Sequence, residues 1–180
     1  QIEIQVADRI VLDNLKKELN YEGNVTTRDR VKKSGTISST CRLQVTSNQI
    51  VQDLMSKYNI TPKKSLNLEP PIRLGNEEAF SYIIGYIDGN GSINTGRNAK
   101  LFSLSITSGS FGLIEWMTKA IYILCKADIP RINIIKKDKS FIYTVLYPMY
   151  SLVRIKNRLG TTSIPALSRK WSKLSSIDTD

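Results

Sequence analysis

The chain opens on a strict alternation. In "QIEIQV" the apolar residues Ile2, Ile4 and Val6 share one face, which predicts a strand. "ADRIVLDNLKKEL" changes the period: Ile10, Val11, Leu12, Leu15 and Leu19 recur at helical spacing, and Asp8 stands where it can cap the helix. "NVTTRDRVKKSGTISSTCRLQV" reads as a hairpin around a basic loop. "NQIVQDLMSKY" is again helical, with Ile50, Val51, Leu54, Met55 and Tyr58 on its apolar side. A stretch without period follows, "TPKKSLNLEPPIRLGNEE", punctuated by Pro62, Pro70, Pro71 and Gly75. Beyond it, "SYIIGYIDGNGSI" reads as an apolar helix that runs into a tight Asp-Gly-Asn-Gly turn and a further strand. "KLFSLSITS" alternates, with Phe102, Leu104 and Ile106 inward, and "SFGLIEWMTKAIYILCK" is helical. "RINIIKKDKSFIYTVLY" predicts a hairpin turning near Asp138, and "MYSLVRIKNRL" a helix ended by Gly160. "SIPALSRKWSKL" reads as a short basic helix or an ordered tail.

The order of elements on the two sides of the aperiodic stretch is the same. Ile2 lines up with Leu104 and Ile4 with Ile106, while Val11, Leu12 and Leu15 line up with Leu113, Ile114 and Met117. The period is roughly 100 residues, longer than solenoid repeats, and fits a duplicated α/β module. The expected organisation is a first repeat over 1–62, a linker over 63–75, a second repeat over 76–160 and a basic tail over 161–180. Only the second repeat opens with the "SYIIGYIDGNGSI" helix and its strand; the register places their counterpart upstream of Gln1.

Composition narrows the chemistry. The 180 residues are 41% hydrophobic, enough for a real core, and no apolar run approaches the ~18 residues of a membrane span. There is no histidine, which excludes Ser-His-Asp and Cys-His triads and disfavours zinc. Cys41 and Cys125 match no metal spacing and are expected to be buried, reduced thiols. The net charge of +10 points to a polyanionic partner. Gln1 is not an initiating residue, so the sequence reads as trimmed or as a fragment.

"IIGYIDGNG", Ile83 to Gly91, resembles the nine-residue motif of the LAGLIDADG homing endonucleases. Gly85, Asp88 and Gly91 match it by letter, and Ile83, Ile84, Tyr86 and Ile87 keep its apolar and aromatic character. The surrounding order of elements resembles that family's αββαββα module over nearly the whole chain. The resemblance implies an α/β (α+β) fold, a duplicated module with pseudo-twofold symmetry whose antiparallel sheets form a nucleic-acid-binding saddle. It implies that two motif helices cross closely at Gly85, with Ile84 and Ile87 beside it. Without a partner helix, that face is expected to expose an apolar stripe, covered by an omitted N-terminal segment, another chain or a second copy.

In the family the eighth motif position is an acid that holds Mg²⁺ between the scissile phosphates. Here it is Asn90, a neutral amide. Asp88, at the sixth position, braces the turn or substitutes as a ligand. The first motif, with its own acid, is absent from the sequence. No cofactor is therefore expected to be retained, with Mg²⁺ implied only if the chain is active.

Family members read bases with the strand residues that face away from the helices. With Cys41, Leu43 and Val45 inward, alternation places Thr40, Arg42, Gln44 and Thr46 outward, with Asn24, Thr26 and Arg28 on the paired strand. In the second repeat the outward set is Ser103, Ser105 and Thr107, with Arg131, Asn133 and Lys137. Glu3, also outward, weakens phosphate contact. Basic hairpin ends carry Arg28, Arg30, Lys32 and Lys33, then Arg97 and Lys100, then Lys136, Lys137 and Lys139, all suited to gripping phosphates. Lys63, Lys64, Arg169 and Lys170 follow the last helix of each repeat, where the family's basic residues approach the cleavage centre; Lys64 and Lys170 are the candidates for a catalytic role. Trp171 is expected to pack under the tail.

These readings predict a protein that binds double-stranded DNA through its sheet face and is deficient in cleavage. Two alternatives stay open. One is an active intron- or intein-type endonuclease whose first motif lies upstream. The other is an RNA-binding, maturase-like protein or ribonucleoprotein component, ribosomal for example, binding by shape and phosphate. The Ile, Asn, Lys and Tyr bias is that of AT-rich genomes and suggests a mitochondrial or phage origin. No membrane partner is expected.

Overall fold

The computed structural model describes residues 2–31, 33–61, 68–95, 102–137 and 140–175, and every structural statement below concerns those residues. The chain divides into two units. The first comprises residues 1–48 and 167–169, the second 49–166 and 170–180.

In the first unit β1 (Ile2–Gln5) leads through a 3-10 turn into α1 (Arg9–Glu18), and β2 (Thr26–Val31) and β3 (Ile37–Leu43) form the predicted hairpin. The sheet order is β1-β3-β2, antiparallel throughout, with Ile4 opposite Cys41 and Arg28 opposite Thr40. Leu12 of α1 packs on Cys41 and Leu43, all fully buried, with Ile4, Leu15, Tyr21, Val25 and Val45 around them. Gly35 turns the hairpin at φ +78°, a left-handed conformation that disfavours a side chain. Asp8 precedes α1, as predicted, but its side chain makes no capping bond. It is 4% exposed, and both carboxylate oxygens accept from Arg169, at 3.0 and 2.9 Å. Burial makes the paired arginine a better partner than a solvated cap.

The second unit contains α2 (Asn48–Ser56) from Gln49 onward, then α3 (Asn76–Asn90), β4 (Gly91–Thr95), β5 (Phe102–Ser108), α4 (Phe111–Cys125), β6 (Asn133–Lys137), β7 (Ser140–Pro148), α5 (Met149–Gly160) and, from Lys170 onward, the end of a short α6 (Ser168–Trp171) that runs into a 3-10 turn. Its four strands run in the order β4-β5-β7-β6, again antiparallel. Phe102, Leu104, Ile106 and Ser108 of β5 are buried, and Ser103, Ser105 and Thr107 between them are not. One core joins the inner row of the sheet (Ile93, Leu104, Ile106, Val145, Tyr147) to α3, α4 and α5. Ser110 caps α4 by accepting from the Leu113 amide at 3.2 Å, and Lys126 closes that helix at φ +58°.

The sequence differs from the structure at two helices. The predicted apolar side of α2 is largely in water: Val51, Leu54 and Met55 are 53%, 37% and 46% exposed. The tight turn expected at Asp88–Gly91 does not form, because α3 continues through Gly89 and Asn90 and meets β4 directly at Gly91. That junction needs glycine for a steric reason. A Cβ at Gly91 would lie 2.7 Å from the Ile87 carbonyl oxygen.

Candidate nucleic-acid interface

The face of the three-stranded sheet opposite α1 is built by register. Glu3, Arg42 and Thr26 form one row, Thr40 and Arg28 share the next, and Ser38 and Arg30 the one beyond. Three guanidinium groups thus share one surface. Glu3 organises it: its Oε1 accepts from the Thr40 hydroxyl at 2.9 Å and lies 3.4 Å from the Arg30 guanidinium. Arg42 donates to the Gln44 side chain. Glu3, expected to weaken phosphate contact, pairs with one of the three arginines.

On the four-stranded sheet the corresponding face holds Ser92 and Asn94 of β4, Ser103, Ser105 and Thr107 of β5, Ile142, Thr144 and Leu146 of β7, and Asn133, Ile135 and Lys137 of β6. Thr107 and Thr144 are bonded to each other at 3.2 Å. The sequence reading found the β5 row, Asn133 and Lys137 but missed Ser92, Asn94, Thr144, Ile135 and Leu146. In "SFIYTVLYP" both alternating rows are apolar, so no single-sequence pattern distinguishes the outer row.

The remaining candidates scatter. Asn24, Gln44, Thr46 and Arg131 lie outside the strands, and all four are exposed. Lys33 stands in the β2–β3 turn. Lys136 belongs to the opposite row from Lys137, across from Phe141. Lys32, Lys63, Lys64, Arg97, Lys100, Lys139 and Asp138 fall outside the described residues.

The motif helix has an inner and an outer side. Ile84 and Ile87 are fully buried in the second unit's own core, so they form no exposed apolar stripe. Beyond its first turn the exposed residues are Ser81, Gly85, Gly89 and Asn90, the first three small and spaced by four. A Cβ at Gly85 would meet nothing within 4 Å. A cavity of about 340 Å³ beside this side is lined by Ile60, Leu68, Tyr82, Tyr86 and Asn90, among others. The Tyr86 hydroxyl donates to the Thr107 carbonyl at 3.1 Å, and burial raises its pKa.

At the C-terminal end of α3 a lysine closes the helix. Lys170, 8% exposed, donates from Nζ to the carbonyls of Ile87, Asp88 and Gly91 at 2.8, 2.7 and 2.7 Å. The Asp88 carbonyl belongs to the last turn of α3, the Ile87 carbonyl also accepts from the Gly91 amide, and Gly91 opens β4; a cation there also interacts favourably with the helix dipole. The Trp171 indole donates to Asp88 Oδ1 at 2.8 Å.

The same groups test the magnesium that the motif resemblance implies. Asn90 supplies a neutral amide, the Asp88 carboxylate accepts from an indole, and an ammonium ion already sits among the nearby carbonyls. No cluster of three or more His, Cys, Asp or Glu side chains exists among the described residues. A hard divalent cation wants several charged oxygens. This donor set does not fit it.

No protein-family model and no curated protein matches the sequence. Solved structures do. The homing endonuclease I-WcaI bound to its DNA recognition sequence aligns with a TM-score of 0.61 at 12% identity, over 94% of this chain and 74% of that one. The full-length DUF199/WhiA protein from Thermatoga maritima gives 0.49 at 13%, over 99% and 53%. The I-SmaMI LAGLIDADG homing endonuclease bound to cleaved DNA gives 0.48 at 14%, over 96% and 74%. This chain thus spans about half the length of the DUF199/WhiA protein. The fold is LAGLIDADG-like: mixed α+β, with antiparallel sheets.

Proposed function

We propose that this chain binds double-stranded DNA through the helix-free faces of its sheets and does not cleave it efficiently. One observation carries the binding: Arg28, Arg30 and Arg42 share the face of the sheet opposite α1. Guanidinium groups hydrogen-bond both phosphates and guanine edges, and the +10 charge would draw the chain to a polyanion. The fold is also that of a solved protein bound to its DNA recognition sequence. The deficiency in cleavage follows from the poor fit of Asn90, Asp88 and Lys170 to magnesium.

The test is a titration of labelled duplex DNA and of folded RNA of equal length across a series of salt concentrations. Tighter duplex binding that weakens steeply with salt supports the reading, and preference for RNA overturns it. Incubation of supercoiled plasmid with Mg²⁺ tests the second half. Double-strand cutting at one site overturns it.

A further inference from the structure

The registers of the two sheets can be laid over each other. Ile4 opposite Cys41 corresponds to Ile106 opposite Val145, and Thr40 opposite Arg28 corresponds to Thr144 opposite Asn133. Arg42 therefore corresponds to Leu146, and Arg30, opposite Ser38, to Ile135, opposite Ile142. Two outer positions thus carry guanidinium groups in one sheet and branched aliphatics in the other, while Arg28 corresponds to Asn133. Leu146 and Ile135 are 51% and 56% exposed, interleaved with the hydroxyls of Ser105 and Thr144, so they are surface and not core. Major-groove edges differ in the same two ways. Guanine offers two acceptors that match a guanidinium fork, and thymine alone offers a methyl group.

We propose that the two sheets read different base chemistry: guanine through Arg28 and Arg42 on the three-stranded sheet, and thymine methyl groups through Ile135 and Leu146 on the four-stranded sheet. This rests on the duplex-binding reading above. Glu3 ties Arg30 and leaves it a positioning contact, whereas one bond from Arg42 to Gln44 uses one of five donors. Ile135 and Leu146 gain by burying methyl against methyl, about fourfold in affinity for each methyl covered.

The experiment selects binders for the full chain from a pool of random-sequence duplexes and then edits the selected DNA chemically. Replacing thymine by deoxyuridine removes only the methyl group and should weaken binding about sixteenfold for two contacts. Replacing guanine by 7-deazaguanine removes one acceptor and should weaken it by about tenfold at a contacted base. The double variant Ile135→Ser, Leu146→Ser should bind thymine and deoxyuridine duplexes equally while remaining sensitive to 7-deazaguanine. Arg28→Gln with Arg42→Gln should show the reverse. Both pairs sit at the surface, and the chemically edited DNA tests the idea on the unaltered chain. Salt-sensitive duplex binding that is indifferent to the thymine methyl, or a deoxyuridine effect that survives the double serine variant, overturns this inference and leaves duplex binding standing. Absence of duplex binding overturns both.

Discussion

The two units share a plan and divide its burdens differently. Each has a strand, a helix and a hairpin in the order β-α-β-β, and the sheet order β1-β3-β2 recurs as β5-β7-β6. Leu12 and Ile114 occupy corresponding places on α1 and α4 and are both fully buried. The first unit buries little beyond Leu12, Cys41 and Leu43. The second adds α3, β4 and the tail, and its core spans three helices. Ile106 is completely buried, whereas its counterpart Ile4 is only half-buried. The comparison teaches that a repeated sheet can keep its topology with a modest core, while its outer row is free to change from arginine to leucine.

The largest expected effect is a core truncation placed at corresponding sites. Ile106→Ala should cost about 3–4 kcal/mol, and Ile4→Ala about 1 kcal/mol, in urea denaturation followed by tryptophan fluorescence. Equal costs would erase the difference in burial on which the comparison stands. Lys170→Met comes next, at about 2–3 kcal/mol, because it strips charged hydrogen bonds from three carbonyls at a closed helix end. A neutral result would mean that water replaces the ammonium at no cost.

Alkali should single out the second unit. Burial pushes the Cys125 thiol up to about 11 from 9.0, and the Tyr82 hydroxyl up to about 12 from 10.0, with Tyr86 adding to the latter. Each group holds its proton more tightly when folded. Its stabilising contribution is complete below the unfolded pKa and is lost as pH rises through the folded one, so stability should fall between about pH 9 and 12. A flat stability profile across that window would contradict this. The smallest effect belongs to the motif helix. Gly85→Ala should stabilise by about 1 kcal/mol through helix propensity, since no described atom lies near its Cβ position, whereas Gly91→Ala should destabilise. A destabilised Gly85→Ala would show that the surface beside it is occupied in solution.

Much of this was legible in the sequence where one alternating row was apolar and the other was not. "FSLSITS" yielded both faces of β5, and the helical period of α1 and α4 marked the repeat. Legibility failed where the deciding partner lies far along the chain. Asp8 looked like a cap because the sequence does not reveal Arg169 beside it. Lys170 looked like one basic tail residue among several, yet it closes a helix some eighty positions earlier. The glycine-rich end of α3 suggested a turn, and crowding at Gly91 made it a corner. Ile84 and Ile87 looked unpartnered because the motif resemblance supplied a missing helix, when their own sheet and helices cover them.

The lysine at the end of α3 also has a consequence for synthesis. A ribosome makes the helix long before it makes the residue that seals it. Until position 170 has been made, the three main-chain carbonyls of Ile87, Asp88 and Gly91 lack the ammonium they accept from. The end of α3 can therefore be sealed only after some eighty further residues have been made.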